Sequence, residues 1–210
     1  MKKKYILFDN DGVLVETENW YYEASKRALK EFFDVDVDFE YYMKLMTDGK
    51  GVWLAAKNAS QKSIEKARNQ RDVYYQEYLR NEDIAIENVH DVLSELKKKY
   101  QMGIVTTSRR VDFDIIHKNR GIIDYMDFVL CVEDYPRAKP YPDPYLKGME
   151  LFNATKEETI IVEDSERGLI SANKAKIDCV IVHNEFTKTQ NFESATYKID
   201  KLTELVSLLQ

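Results

Sequence analysis

The chain has 210 residues, enough for one hydrophobic core with a smaller module appended and short for two large domains. Its 44% hydrophobic and 32% charged residues, spread without Gly-, Ser- or Pro-rich tracts, exclude a collagenous, low-complexity or disordered chain. A formal net charge of −6 and a pI near 5.3 argue against a nucleic-acid partner, which calls for clustered, uncompensated Lys and Arg.

The one basic run, Lys2-Lys3-Lys4, reads as a solvated leader. No apolar run reaches the length of a secretory signal or a membrane span. Cys131 and Cys179 fall in apolar stretches that read as strands, with no Cys or His partner at zinc spacing. A cytoplasmic protein with reduced thiols and no membrane partner is the expectation.

In chain order, residues 4–8 form an apolar run that ends in acidic residues and Gly12, the pattern of a buried strand opening into a loop. From 16 to 87 the patterns are helical, with no convincing strand. Trp20, Tyr21, Ala24, Ala28 and Phe32 mark one face, and Ile64, Ala67, Tyr74, Tyr75 and Tyr78 another. The tyrosines read as this module's own core. Between its helices the turn Asp48-Gly49-Lys50-Gly51 offers Lys50 as a contact for an anionic substrate, although a turn lysine is equally at home in solvent.

Beyond the module, Val89, Val92, Leu93, Leu96 and Tyr100 share a helical face, and runs at 102–106, 127–132, 159–162 and 178–182 have strand length and β-branched residues. Tyr145, Leu146, Met149 and Phe152 mark a helix between two of them. Alternating strand and helix predicts an α/β fold, a Rossmann-like parallel sheet covered on both sides. The expected organisation is a core of residues 1–15 and 88–210, with a helical module, 16–87, inserted after the first strand.

In such a sheet ligands sit beyond the carboxyl ends of the strands, where this sequence places Asp9 and Asp11, then Thr106-Thr107-Ser108, then Glu163-Asp164-Ser165. Four carboxylates gathered at one edge repel unless a cation neutralises them, and an all-oxygen donor set favours Mg²⁺. Lys139, framed by Pro140, Pro142 and Pro144, adds a fixed cation suited to the charged oxygens of a phosphoryl group. A carboxylate beside it can serve as a nucleophile. Singly, each residue has a structural reading: helix cap, loop lysine or strand threonine.

Phe8-Asp9-Asn10-Asp11-Gly12-Val13-Leu14, Ile104-Val105-Thr106-Thr107-Ser108, Ala138-Lys139-Pro140-Tyr141-Pro142-Asp143-Pro144 and Ile161-Val162-Glu163-Asp164-Ser165 with Gly168 follow one another in order. This set resembles the haloacid dehalogenase superfamily, and within it the β-phosphoglucomutase-like group. The resemblance implies that Asp9 attacks phosphorus and that Asp11 protonates the leaving group, then deprotonates the attacking water. It implies phosphate binding by Thr106 and Lys139, with Thr107 beside them. It also implies metal ligation by the Asp9 carboxylate, the Asp11 carbonyl and Asp164, with Glu163 as an additional or water-mediated ligand. The helical module then corresponds to the family's mobile cap.

Asp11 argues against the dehalogenase and phosphonatase branches of that superfamily, which lack it. Glu16 replaces a usual aspartate, and Ala175-Lys176 replaces a small-Gly pair; both changes bear on packing. Tyr21 stands where the mutases carry a histidine, which favours a phosphatase acting on a small phosphorylated metabolite such as a sugar phosphate. A sugar-phosphate mutase and a non-catalytic phosphometabolite-binding protein are the alternatives. His90, His117 and His183, scattered and without i,i+4 partners, read as surface or helix-end residues, and Arg109 and Arg110 as capping the helix after the second motif.

Overall fold

The computed structural model describes residues 2–47 and 51–210, so the expectation placed on Lys50 falls outside the described residues. The chain divides into two compact units, Met1–Glu16 with Ala85–Gln210, and Thr17–Ile84. Strand β1 (Tyr5–Phe8) opens the first unit. The second unit contains α1 (Glu18–Phe33), α2 (Phe39–Thr47), a 3-10 turn (Val52–Ala55) and α3 (Gln61–Asn81). The first unit resumes with α4 (Val89–Lys97), β2 (Gln101–Val105), α5 (Arg110–His117), β3 (Phe128–Leu130), α6 (Asp143–Leu151), β4 (Thr159–Glu163), α7 (Glu166–Ala175), β5 (Asp178–Val182), β6 (Tyr197–Ile199) and α8 (Glu204–Leu208).

The strands form one sheet in the order β3-β2-β1-β4-β5-β6, every adjacent pair parallel. Parallel neighbours require crossovers, which the intervening helices supply. Ile6, Leu7 and Phe8 are all fully buried, as expected of a central strand covered on both faces. Leu7, Val105, Leu130, Tyr145, Ile161, Leu169 and Cys179 belong to one core cluster. Phe8 lies opposite Ile104 in β2 and Val162 in β4, so the residues that follow all emerge at one edge. The chain runs outward through β2 and β3 on one side of β1 and through β4, β5 and β6 on the other. Beside β1 lies the switch point where open α/β sheets form a crevice.

Several boundaries differ from those predicted. Thr106 lies just past β2, and β3 covers only 128–130, flanked by Asp127, whose side chain accepts from the Met102 N–H, and by Cys131, whose N–H bonds Asp134. Cys131 therefore sits after its strand; both cysteines are buried and free. β6 had no apolar signal, since Tyr197 and Lys198 are exposed. Helix α6 starts at Asp143, ahead of the first residue of the face marked by Tyr145, with Pro144 in its first turn, where no N–H is needed. Leu146 and Phe32 are exposed rather than on the buried faces expected of them. Val15 pairs with Ala85 in an isolated antiparallel bridge, joining the two points where the chain leaves and re-enters the first unit.

In the second unit α1 packs against α3. Ala24, Ala28 and Ala67 are fully buried, and around them Trp20 stacks on Tyr78 and Tyr21 meets Tyr75 edge-on. The Arg71 guanidinium lies 4.3 Å from the Tyr21 ring centroid. Most of the tyrosines thus belong to this unit's own packing. No helix among the described residues is long and apolar enough to cross a membrane.

Candidate active site

Asp9 is the first residue past β1, its N–H bonded to the Val162 carbonyl at 2.8 Å. Lys139 reaches it from the loop before α6: the Nζ lies 2.8 Å from Asp9 Oδ1, 2.7 Å from Glu163 Oε1 and 3.0 Å from the Val105 carbonyl. All three ammonium hydrogens therefore have acceptors, which a buried cation requires. The Tyr145 ring covers the amine, with its centroid at 4.9 Å.

Glu163 ends β4 and is fully buried. Its Oε1 accepts from Lys139 and the Tyr145 hydroxyl, and its Oε2 from the Asp164 N–H, the Ser165 N–H and Ser165 Oγ. Gly168 makes room for it: a Cβ there would lie 1.8 Å from Glu163 Cδ. Asp164, also buried, accepts at Oδ2 from Asn184 Nδ2 at 2.7 Å. Gly12 is needed for two reasons, its φ of +77° and the 2.1 Å that would separate a Cβ from Asp164 Oδ2.

One carboxylate oxygen from each of Asp9, Glu163 and Asp164 lies within 4.8 Å of the others. Asp11 faces another way: its Oδ2 accepts from Thr106 Oγ1 at 3.2 Å and from Ser108 Oγ at 2.7 Å. Thr106 is held in turn by the Ser108 N–H on its hydroxyl and by Tyr135, whose hydroxyl donates to its carbonyl at 2.6 Å. Thr107 is half-buried in the following turn. The fold thus brings Asp9, Lys139, Glu163 and Asp164 into one cluster and Asp11, Thr106 and Ser108 into an adjoining one.

Burial first, and then the charge of Glu163, push the Asp9 carboxyl up to about 7, against the pull of Lys139. Glu163 resists its own burial because Lys139, Tyr145 and Ser165 hold it below the usual range. Lys139, although buried, is raised by its two carboxylates and stays charged. The donors around Asp9 and Asp164 are all oxygen, with neither imidazole nor thiol, and therefore fit a hard divalent cation. The Gly12 cradle against Asp164 supports that fit.

Three participants carried no role in the sequence motifs. Asn184 follows β5, a strand end in an open parallel sheet, which was a usable signal. Tyr145 was legible only as a helix face. His117, expected at a surface or helix end, is the buried last residue of α5, with Nε2 2.7 Å from Asn10 Oδ1 between the two aspartates. Burial pushes its imidazole down to about 4, so it is neutral. Arg109 and Arg110 pair with Asp112 and Asp134.

Comparison with known proteins bears on this site. The sequence profile of the haloacid dehalogenase-like hydrolases matches residues 6–182. Pyrophosphatase PpaX of Bacillus mycoides is 26% identical over 214 residues, spanning 100% of this chain and 98% of its own. A predicted phosphoglycolate phosphatase from Haemophilus somnus superposes with a TM-score of 0.89 at 21% identity, over 100% of this chain and 99% of that one. CbbY from Rhodobacter sphaeroides, solved with phosphate, superposes with a TM-score of 0.82 at 21% identity, over 97% and 96%. At these identities the two structures speak for the fold.

Proposed function

The chain belongs to the haloacid dehalogenase-like hydrolase family and is a phosphatase, and on that footing we propose that it hydrolyses a small phosphomonoester with Mg²⁺ through an aspartyl-phosphate on Asp9. The observation that carries the reading is the Asp9 carboxylate, held 2.8 Å from a buried, fully bonded Lys139.

Asp9 attacks phosphorus, and the bond to the leaving oxygen breaks as the Asp9 O–P bond forms. Asp11 gives its proton to the leaving oxygen, a role for which it lies beside the nucleophile, bridged to Thr106 and Ser108. Asp11, now a carboxylate, takes a proton from water, the water oxygen attacks phosphorus, and Asp9 is released. Lys139 and Thr106, with Thr107 alongside, hold the nonbridging oxygens. Asp9, Asp164 and the Asp11 carbonyl would hold Mg²⁺, which when bound neutralises charge on the phosphoryl group. Glu163, with both oxygens engaged, contributes its charge and an additional or water-mediated contact.

The compact helical unit Thr17–Ile84, inserted after the loop of Asp9 and Asp11, serves as the cap that selects the substrate. Tyr21 supports hydrolysis over phosphoryl relocation: burial raises its phenol further, so it is no proton carrier at neutral pH.

The test is turnover of an aryl phosphate and of a panel including sugar phosphates, phosphoglycolate and pyrophosphate, with and without Mg²⁺. Mg²⁺-dependent phosphate release that falls at least about a thousandfold in Asp9→Asn supports the reading. Isomer formation exceeding phosphate release from a hexose 1-phosphate primed with bisphosphate would replace it with a mutase. Inactivity across the panel would leave a binding protein.

A further inference from the structure

Asn184, in the loop after β5, touches Asp164 in one defined orientation. Its Oδ1 accepts from the Thr187 N–H at 2.9 Å and from Thr187 Oγ1 at 3.0 Å. A backbone N–H can only donate, so the atom facing Thr187 must be the amide oxygen. The NH₂ group is thereby turned to Asp164, with Nδ2 donating to Oδ2 at 2.7 Å. Thr187 is itself buried, and the loop is fastened to the start of α7 twice. The Glu166 N–H donates to Gln190 Oε1 at 2.7 Å, and the Asn191 N–H to Glu166 Oε2 at 3.3 Å. Gly12 closes the other side, where a Cβ would lie 2.1 Å from Asp164 Oδ2 and 2.9 Å from Asn184 Nδ2.

The contrast with Glu163 gives this contact its meaning. Glu163 is fixed by an ammonium, a charged donor that it shares with Asp9. Asn184 fixes Asp164 through a donor without charge, so this contact orients the carboxylate while adding no positive charge of its own. Mg²⁺ demands near-ideal octahedral geometry, and hydrogen bonds that orient a ligating carboxylate are typically worth about 10- to 100-fold in metal affinity.

We infer that Asn184, locked by Thr187, is a positioning residue that sets the orientation of Asp164 for a divalent cation. This rests on the proposed function, since it takes Asp164 as a ligand. The experiment is calorimetric titration of Mg²⁺ into the full-length wild type, Asn184→Leu, Thr187→Val and the double variant, with metal-free melting temperatures measured alongside. Asn184→Leu is expected to weaken Mg²⁺ binding by about tenfold or more. Thr187→Val, which keeps its backbone N–H, is expected to weaken it by less. The double variant should be no weaker than Asn184→Leu, because Thr187 acts through Asn184. That non-additivity in metal affinity is a signature general loosening of the fold would not give. Wild-type affinity in Asn184→Leu, or fully additive losses, overturns the inference alone. Should Asn184→Leu fail to fold, Thr187→Val decides, and unchanged Mg²⁺ affinity there overturns the inference. No Mg²⁺ binding by the wild type overturns the functional reading and the inference with it.

Discussion

Lys139 and Glu163 form a buried ion pair, Nζ to Oε1 2.7 Å, whose side chains are 3% and 0% exposed. Asp9 takes a second hydrogen of the same amine at 2.8 Å, so its carboxylate is positioned by a cation that is itself anchored elsewhere. Glu163→Gln leaves Lys139 with Asp9 as its remaining carboxylate and is expected to destabilise the protein by about 1 to 3 kcal/mol, the cost of weakening the bonds of buried donors. Chemical denaturation measures it, and a loss below about 1 kcal/mol would contradict this account of the pair.

Asp9 and His117 should make opposite contributions to stability against pH in metal-free protein. Burial raises Asp9 from 3.8 to about 7, so its contribution is present below about 4 and lost as pH rises through 7. Burial lowers His117 from 6.5 to about 4, so its contribution is present above about 6.5 and lost as pH falls through 4. Relative to wild type in EDTA, His117→Gln should gain stability on acidification from pH 6.5 to 4.5 and Asp9→Asn should lose it. Each slope is on the order of 1 kcal/mol per pH unit. Denaturant midpoints at three pH values test this, and slopes of the same sign would refute it.

The motif residues were legible because a parallel sheet brings its strand ends to one edge, so Asp9, Thr106 and Glu163 had to become neighbours once the strands were recognised. The contact of Glu163 with Lys139 was not, because a carboxylate at a strand end does not announce in sequence which cation lies against it. His117 and Asn184 escaped for a related reason. Their partners, Asn10 and Asp164, lie 107 and 20 residues away, and only the packing of α5 and the fold of the loop after β5 select those pairs. β6 escaped because it has an exposed face and no apolar run to betray it.

Gly168→Ala inverts an ordinary expectation. Alanine in a helix is worth roughly 1 kcal/mol over glycine. In α7, however, the added methyl would fall 1.8 Å from Glu163 Cδ and 1.9 Å from its Oε1, displacing the residue that anchors Lys139. A net destabilisation of about 1 to 3 kcal/mol is expected, with reduced turnover. A variant melting at or above the wild-type temperature would show that the pocket around Glu163 has slack.

Tyr42→Phe should be tolerated. The Tyr42 hydroxyl is buried with no hydrogen-bond partner among the described residues, so its removal relieves a desolvated polar group. Stability should stay level or rise by up to about 1 kcal/mol. A clear drop in thermal midpoint would mean that the hydroxyl has a partner in solution.

The bridge between Val15 and Ala85 pins together the two ends of a 68-residue excursion, Thr17–Ile84. To the sheet, that excursion is a hairpin turn of arbitrary content. Its length and composition can change without moving either anchor, and Asp9 and Asp11 lie upstream of the first. Under the proposed function, chemistry and selectivity are thereby written in separable parts of one gene: an exchanged insert of quite different size would inherit the same reacting groups, and a lineage could acquire new substrates without re-evolving its nucleophile.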